Sequence, residues 1–400
     1  MNKKAFVSLF SGCGGMDLGF KMAGYECIAA YDKDPKAIQV HSKNIDCKAA
    51  KCADLSMEAV DSSIPQANLL IAGPPCQGFS TAGKMRASDD RNLLLQAVVR
   101  VAKKTKPNVI VIENVPGLTS EKMMLHYHRL INGLEALHYT TKTVICNSLD
   151  YGVPQHRKRV FLIAWDNKIP FVENVSLNDM KKKVSVNEAL ANIKPEDKNH
   201  APKMLNPNTP DYVISSRIDA GQKLCDVRGG SNAVHTWDIP EVFGIVCAEE
   251  RMILELIRLL RRKERRRKDG DSDPVHVHRI KDEILFPPDI YIDSLIEKGY
   301  LRKKGDCIDL AYAFNGWYRR LDGAKFSPTV DTRFGRPKYF LHPTENRGLT
   351  IREAARLQTF PDDFIFEGTE TEQYKMIGNA VPPVMAQVIG VYVDRNLLNG

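Results

Sequence analysis

Little in the sequence points to a membrane or to secretion. No apolar run in its 400 residues looks long enough to cross a bilayer. Residues 1–4 lead directly into a strand-like segment, without the apolar core and cleavage site of a signal peptide. Since 43% of the residues are hydrophobic and 26% are charged, the chain can bury a sizeable core. We therefore expect a cytoplasmic globular protein with no membrane partner.

The sequence also lacks the cysteine spacing of a disulfide framework or a zinc site. Its nine cysteines are odd in number, and the nearest pair, Cys47 and Cys52, is too widely spaced for a zinc knuckle. We predict mostly buried free thiols in a reducing compartment and no bound metal. Any single cysteine is then available as a nucleophile.

Acidic residues are outnumbered by basic ones, which gives a net charge of +8. Much of this excess is local, because residues 251–268 contain nine Lys or Arg and only two Glu. Concentrated positive charge suits a polyanionic partner such as nucleic acid. A solvated helix face gives the same pattern, and the charge run taken alone favours that interpretation.

Short apolar runs alternate with helical patterns in the first 165 residues. The strand-like runs are residues 6–9, 27–31, 69–72, 109–112, 143–146 and 160–164. Strands that are apolar throughout and separated by helices favour a mostly parallel sheet with helices on both faces. The predicted class is therefore a Rossmann-like α/β domain.

The pattern changes after residue 165. Residues 166–240 are polar and irregular, whereas 245–268 form a strong amphipathic helical pattern with a basic C-terminal half. Two shorter helical patterns and a hairpin around 303–306 follow. Three helices and a basic hairpin predict a winged-helix-like subdomain over residues 245–312.

A glycine-rich loop, FSGCGG, occupies residues 10–15 after the first predicted strand. Its glycines admit positive φ and a close approach of ligand, and the helix that follows favours an anion at its N-terminus. Asp32 ends the second strand, where a carboxylate can accept hydrogen bonds from ribose hydroxyls. A tight strand–helix turn without a ligand explains the glycines alone, but the spaced acid favours a nucleoside-containing cofactor.

A dinucleotide is the less favoured cofactor. The full G-x-G-x-x-G pattern needs a glycine at position 17, where this chain has Asp17. An acid so close to a pyrophosphate would repel it. A phosphate-free cofactor with a methionine carboxylate fits better, and a nicotinamide dehydrogenase is the more distant alternative.

A candidate nucleophile lies in the segment GPPCQGFS, residues 73–80. The preceding apolar strand places Cys76 at a carboxyl strand end, where open α/β sheets bind ligands. The prolines stiffen this loop and the glycines allow it to curve tightly. A structural cysteine in a turn is the alternative.

Acidic and basic side chains are predicted at the same sheet edge. The next strand ends in Glu113, and Arg157 and Arg159 precede the last strand. Because alternate residues of an extended segment share a face, both guanidinium groups should point the same way. Each residue alone would be a surface charge or a cap, but together with the thiol they indicate a catalytic site.

Six segments in order resemble the cytosine-C5 DNA methyltransferase family. They are residues 10–15, 73–80, 113–115 (ENV), 155–159 (QHRKR), 352–361 (REAARLQTFP) and 378–383 (GNAVPP). The resemblance implies a catalytic and cofactor-binding domain from residues 1–170 together with 372–400. Residues 171–371 would form a smaller target-recognition domain.

The resemblance implies S-adenosylmethionine as the cofactor. Phe10 would stack on the adenine, Asp32 would bind the ribose and Asp54 would read the adenine amino group. The remaining expected cofactor contacts are Gly12, Gly14, Gly15, Pro74 and Asn379. Lys33 departs from the family, in which many members have a large apolar or aromatic residue at this position.

The resemblance also implies the reaction. Cys76 would add to C6 of a flipped-out cytosine, C5 would attack the methyl group, and loss of the C5 proton would release the thiolate. Glu113 would protonate N3, Arg157 would hold O2, and Arg159 would position Glu113 or Arg157. The predicted DNA contacts are Gln77, Ser80, Gln155, Arg261, Arg262, Arg265 and Thr329, of which Thr329 would line the flipped-base pocket.

The expected partner is double-stranded DNA, bound by a monomer. The enzyme would serve a restriction-modification system, with a cognate endonuclease acting on the same site. One alternative is a tRNA methyltransferase of the same family. The other is a DNA-binding protein on a dead methyltransferase scaffold, although Cys76, Glu113, Arg157 and Arg159 are all present.

Overall fold

The computed structural model describes residues 4–75, 93–177, 181–267, 273–313 and 316–398. The chain forms two compact units. The first comprises Met1–Ala201, Ala324–Thr332 and Thr350–Gly400, and the second comprises Pro202–Gly323 and Arg333–Leu349. These units differ from the predicted limits of the target-recognition domain at 171 and 371, and those limits stay a prediction about function.

The first unit is built around a sheet of seven strands. They are β1 Ala5–Leu9, β2 Glu26–Asp32, β3 Ala50–Cys52, β4 Leu69–Ala72, β5 Val109–Asn114, β6 Tyr139–Asn147 and β7 Lys158–Asp166. Their order is β3-β2-β1-β4-β5-β7-β6, with the first five strands parallel and β7 antiparallel to both neighbours. The α/β class is confirmed. β3 was not predicted from the sequence, because it is short and has no apolar run.

Helices cover both faces of this sheet. On one face α1 Gly15–Met22 and α13 Pro383–Val393 pack, and on the other α3 Leu93–Thr105 and α4 Met124–Glu135. The unit also contains α2 Pro35–Asn44, α5 Val186–Leu190, α11 Ile351–Leu357 and α12 Glu370–Asn379. α1 packs directly on α13, where a Cβ added to Gly19 would lie 2.4 Å from the Pro383 carbonyl oxygen. This close approach brings the C-terminal segment back to the loop that opens α1.

The second unit contains α6 Pro210–Ser216, β8 Lys223–Leu224, β9 Ala233–Val234, α7 Pro240–Phe243, β13 Arg319–Arg320 and β14 Phe340–Leu341. Between them lie α8 Ala248–Lys263, β10 Val275–His276, α9 Val277–Glu283, α10 Asp289–Glu297, β11 Leu301–Lys304 and β12 Cys307–Leu310. The last three strands form an antiparallel sheet in the order β10-β12-β11. A helix, a strand, two helices and a hairpin in this arrangement have the topology of a winged helix.

One helical stretch, Glu370–Leu398, is long and apolar enough by composition to cross a membrane. However, 67% of its apolar window is buried inside the protein. Ile377, Met385 and Ile389 are among its core residues. The stretch therefore has the burial of core helices of a folded domain.

Candidate active site

The glycine-rich loop between β1 and α1 has the backbone that its composition predicts. Phe10, Gly12 and Gly14 have φ angles of 56°, 55° and 96°. The Gly12 amide donates to Oδ2 of Asp32 at 2.8 Å, and the Asp34 amide donates to Oδ1 at 2.8 Å. Burial raises the pKa of Asp32, and these two amides partly oppose that effect. The end of β2 is thus tied to the loop.

Two of the loop glycines are required by packing. A Cβ on Gly14 would lie 2.9 Å from side-chain atoms of both His41 and Ile45. A Cβ on Gly15 would lie 2.6 Å from the Val381 carbonyl oxygen. In contrast, a Cβ on Gly12 would meet no described atom within 4 Å. The loop is closely backed by protein at Gly14 and Gly15 and open at Gly12.

Asp17 lies beneath this loop, where its carboxylate is fully buried and paired. Ser8 donates its hydroxyl to one oxygen at 2.7 Å, and Nε2 of His41 lies 2.7 Å from the other. Since His41 balances the carboxylate, the predicted repulsion of a pyrophosphate by Asp17 is weaker than its position in the sequence indicates.

The loop opens into a cavity of about 650 Å³ within the first unit. This volume is within the usual range for small-molecule sites. Its lining includes these residues predicted to bind the cofactor: Phe10, Gly12, Gly15, Asp32, Asp54, Pro74 and Asn379. Glu113 and Arg159 line the same space, whereas Gly14 and Arg157 do not.

Glu113 and Arg159 form an ion pair in the cavity wall. They lie on the adjacent antiparallel strands β5 and β7, and Nε of Arg159 is 2.7 Å from Oε1 of Glu113. Each side chain is only 13% exposed, so solvent screens the pair weakly. Oε2 of Glu113 faces Gly73, where a Cβ would lie 3.8 Å away. The acid is therefore placed beside the beginning of the segment that carries Cys76.

Cys76, Gln77 and Ser80 lie outside the described residues. The chain that leads to them is well anchored, because the Gly73 amide donates to the Leu9 carbonyl at 3.1 Å. Nδ2 of Asn114 donates to the Pro74 carbonyl at 3.2 Å. The described part of the nucleophile loop thus leaves the sheet edge between the glycine-rich loop and the end of β5.

Arg157 does not have the environment predicted for it. Its side chain is buried, with Nη1 donating to the Val330 carbonyl at 3.1 Å. Nη2 donates to the carbonyls of Gly378 and Ala380 at 2.9 and 2.8 Å. Burial lowers the pKa of this guanidinium. These backbone acceptors engage the group and it is absent from the cavity wall, so its contact with the cytosine O2 stays a prediction that this geometry does not favour.

Gln155 is likewise structural here rather than exposed to DNA. Its buried Nε2 donates to the Leu357 carbonyl at 2.9 Å and to Oε1 of Gln358 at 2.8 Å, while its Oε1 accepts from the Val330 amide. Gln358 in turn donates to the Ile377 carbonyl. This buried network joins four sequence segments, and the DNA contact of Gln155 stays a prediction that the network does not favour.

Thr329 follows this network on the surface. Its side chain is exposed, and its hydroxyl donates to the His156 carbonyl. Arg157 and Gln155 both bond to the backbone of Val330, the next residue, and so fix the position of Thr329. Its predicted role in lining a base pocket stays a prediction.

The basic residues of the winged helix divide into two groups. Arg261 is buried, and its Nε lies 2.7 Å from Oδ1 of Asp309, which also pairs with Lys304. The ion pair with Asp309 holds α8 to the hairpin β11–β12. The phosphate contact of Arg261 stays a prediction that this burial does not favour. Arg262 and Arg265 are exposed, as a phosphate contact requires.

Two charged residues of the cavity wall were missed by the sequence analysis. Lys375 on α12 pairs with Asp34, the residue that caps α2, at 3.2 Å. Both residues line the cavity together with Lys33. The signal was weak, because Lys375 and Asp34 are far apart in sequence and match no motif.

The family model of C-5 cytosine-specific DNA methylases matches residues 4–393. The chain belongs to this family. Its activity is therefore that of a cytosine-C5 DNA methyltransferase. The predicted family, fold class and enzyme class are confirmed.

Proteins of similar sequence match this chain over nearly its whole length. The type II methyltransferase M.DdeI of Desulfomicrobium norvegicum is 30% identical, over 98% of this chain and 90% of that protein. M.BanI of Aneurinibacillus aneurinilyticus is 29% identical, over 99% and 97%. The structure of an E. coli prophage chain assigned as a DNA modification methyltransferase has a TM-score of 0.60 at 25% identity and covers 99% of both chains. The methyltransferase EhMeth of Entamoeba histolytica, with a TM-score of 0.53 at 15% identity over 98% and 99%, supports the fold.

Proposed function

We propose that this chain transfers a methyl group from S-adenosylmethionine to C5 of a flipped-out cytosine in a specific double-stranded DNA sequence. The transfer proceeds through a covalent bond between Sγ of Cys76 and C6. The observation that carries this proposal is the shared cavity, in which Asp32 and the Glu113–Arg159 pair line one space. A cofactor bound at Asp32 and a base bound at the Glu113–Arg159 pair would lie in the same cavity, close enough to react.

The residues of the cavity fit a nucleoside cofactor. The carboxylate of Asp32 can accept a hydrogen bond from a ribose hydroxyl, and the open backbone at Gly12 admits close approach. Phe10 can stack its ring on the adenine. Asp54 is an exposed residue of the same cavity lining, and its carboxylate can accept a hydrogen bond from the adenine amino group. The backbone amides at the start of α1 favour a carboxylate there, and Lys375, which also pairs with Asp34, adds a cation to the same lining. Bound S-adenosylmethionine would supply an electrophilic methyl group.

The base would be activated by Cys76 and Glu113. The Cys76 thiolate adds to C6, which gives C5 the electron density that it needs to accept the methyl group. Glu113 holds N3 and supplies the proton that this nitrogen gains during the attack. A base then takes the C5 proton, and the electron pair left behind expels the thiolate. N3 returns its proton to Glu113, so the enzyme is regenerated.

We assign the contact with the cytosine O2 to Arg159 rather than Arg157. The guanidinium of Arg159 lies beside Glu113 in the cavity wall, and one guanidinium can donate to a carboxylate and a carbonyl together. Arg157 instead fixes Val330, Gly378 and Ala380. It acts as a positioning residue for the segment that carries Asn379.

DNA binding is assigned to the second unit and to residues around Thr329. Exposed Arg262 and Arg265 would contact phosphates, which makes binding steeply dependent on salt. Extruding the base costs a few kcal/mol, and these contacts offset that cost. Gln77 and Ser80 would contact the DNA from the nucleophile segment.

We further propose that the enzyme acts as a cytoplasmic monomer in a restriction-modification system. Two relatives are named type II methyltransferases, a term that belongs to such systems. A restriction endonuclease that recognises the same DNA site would be its counterpart. One flipped base and one cofactor suffice for each turnover, so a second copy is not required by the chemistry.

The experiment is methylation of unmodified genomic DNA by the purified chain with labelled S-adenosylmethionine, followed by sequencing of 5-methylcytosine. Label confined to one short DNA motif is the expected result. Transfer to tRNA in a parallel reaction, with none to DNA, would favour the tRNA methyltransferase. Cofactor binding without transfer to either substrate would indicate a dead scaffold.

A further inference from the structure

Two cysteines, Cys27 and Cys47, are in contact near the glycine-rich loop. Cys27 lies near the start of β2, and Cys47 follows α2. The two residues form a parallel β-bridge, and their Sγ atoms are 2.7 Å apart. Neighbouring positions on paired strands have the Cα separation that a disulfide requires. The contact joins two separate parts of the fold, because Cys27 belongs to β2 and Cys47 follows α2.

The two thiols differ in environment. Cys27 is only 1% exposed, whereas Cys47 is partly exposed. The hydrogen bond from Cys27 lowers the pKa of Cys47 to about 7, against the opposing effect of burial. The same bond, together with burial, raises the pKa of Cys27. One cysteine therefore has the accessibility of an attacking thiolate, and the other is positioned to resolve a mixed disulfide.

We propose that Cys27 and Cys47 form a reversible thiol–disulfide pair that reacts with small-molecule disulfides such as oxidised glutathione. The Cys47 thiolate attacks one sulfur of the small disulfide and releases one thiolate. Cys27 then loses its proton and attacks the Cys47 sulfur, releasing the second thiolate. The two protein thiols lose two electrons and two protons, and the small disulfide becomes two small thiols.

The bond would fasten the segment that supports the cofactor site. It would close a loop of 20 residues that contains Asp32 and α2, and α2 carries His41 behind Gly14. Because the sulfurs already touch, oxidation should leave the cavity and the cofactor affinity unchanged. Closing a loop of this length should raise the folding equilibrium constant about a hundredfold. The disulfide would therefore stabilise the folded protein without inhibiting cofactor binding.

The test uses the full chain with Cys76→Ser, so that the predicted nucleophile does not react. After incubation with oxidised glutathione, the folded protein is alkylated, digested and analysed by mass spectrometry. The expected product joins the peptides of Cys27 and Cys47 and is lighter by two hydrogen atoms than their sum. Dithiothreitol should reverse it, and urea unfolding should shift to higher urea in the oxidised protein.

Variants separate the two steps. Cys27→Ser removes the resolving thiol but keeps a hydrogen-bond donor beside Cys47, so it should leave glutathione attached to Cys47. Cys47→Ser should leave Cys27 unmodified. Cys52→Ser, a change at an exposed thiol on β3, should not alter the linkage.

Either of two results would overturn the proposal. One is alkylation of both Cys27 and Cys47 while Cys52 or Cys247 takes up the glutathione. The other is protection of the two thiols by bound zinc that a chelator removes, since Asp17, Cys27 and His41 also lie within 4.8 Å of one another.

Discussion

Replacing Arg157 by alanine should lower the free energy of unfolding of the first unit. The loss should be larger than that caused by replacing Arg159. The substitution leaves the buried carbonyls of Val330 and Gly378 without this donor, whereas the half-buried Ala380 carbonyl keeps a bond from Nε2 of Gln358 at 3.4 Å. At about 1 kcal/mol for each buried acceptor, the lower bound is about 2 kcal/mol. Removal of a buried charge recovers part of any larger loss, so we expect about 2–4 kcal/mol.

The assay is equilibrium urea unfolding of the wild-type, Arg157→Ala and Arg159→Ala chains. Arg159 contacts Glu113 at the cavity wall, so its variant should lose less stability than the Arg157 variant and most of its turnover. Arg157→Lys, which keeps the charge but not the planar fork, should fall between wild type and Arg157→Ala in stability. A loss below about 1 kcal/mol for Arg157→Ala, together with abolished turnover, would refute the assignment and return Arg157 to the base pocket.

Further variants address the cofactor, the DNA and the buried pair. Asp32→Asn loses a charged acceptor and should weaken S-adenosylmethionine binding by about tenfold in calorimetry; unchanged affinity would remove Asp32 from the site. Arg262→Ala should lower the slope of log affinity against log salt by about one, whereas Arg261→Ala should mainly lower the melting temperature; the opposite outcome would restore Arg261 as a phosphate contact. Burial lowers the pKa of His41, but the hydrogen bond and charge of Asp17 outweigh it and raise the pKa above 6.5. The stability from this pair should be fully present below about pH 6.5 and lost as the pH rises through the folded pKa, and His41→Gln should flatten that decline in urea unfolding.

The strands of the catalytic unit could be predicted because their residues are apolar throughout. Val109–Ile112 and Val160–Ala164 are buried on both faces, which leaves a clear pattern in one sequence. The direction and order of β7 could not be predicted, because apolar runs do not record which neighbour a strand pairs with. The basic helix was predicted from 245, but α8 begins at Ala248, where Cys247 and Glu250 cap it, and ends at Lys263.

The lining of the cavity was predicted better than the roles of individual side chains. A family motif locates Glu113, and the spacing from the glycine-rich loop locates Asp32, because both residues lie at the carboxyl ends of parallel strands, β5 and β2. The buried role of Arg157 depends on a carbonyl 173 residues away in sequence, and that of Arg261 on Asp309, 48 residues away. Local sequence does not contain these partners, so both arginines resembled ligand-binding groups until their burial was known.

The most direct test of the central claim is a covalent trap at the mapped DNA site. An oligonucleotide carries fluorine in place of hydrogen at C5 of the target cytosine, so that after methyl transfer no proton can leave and the thiolate cannot be expelled. The account predicts a denaturant-resistant complex that requires S-adenosylmethionine, maps to Cys76 and is absent in Cys76→Ala. Methylation of ordinary DNA by Cys76→Ala, or a trapped adduct on another residue, would contradict it.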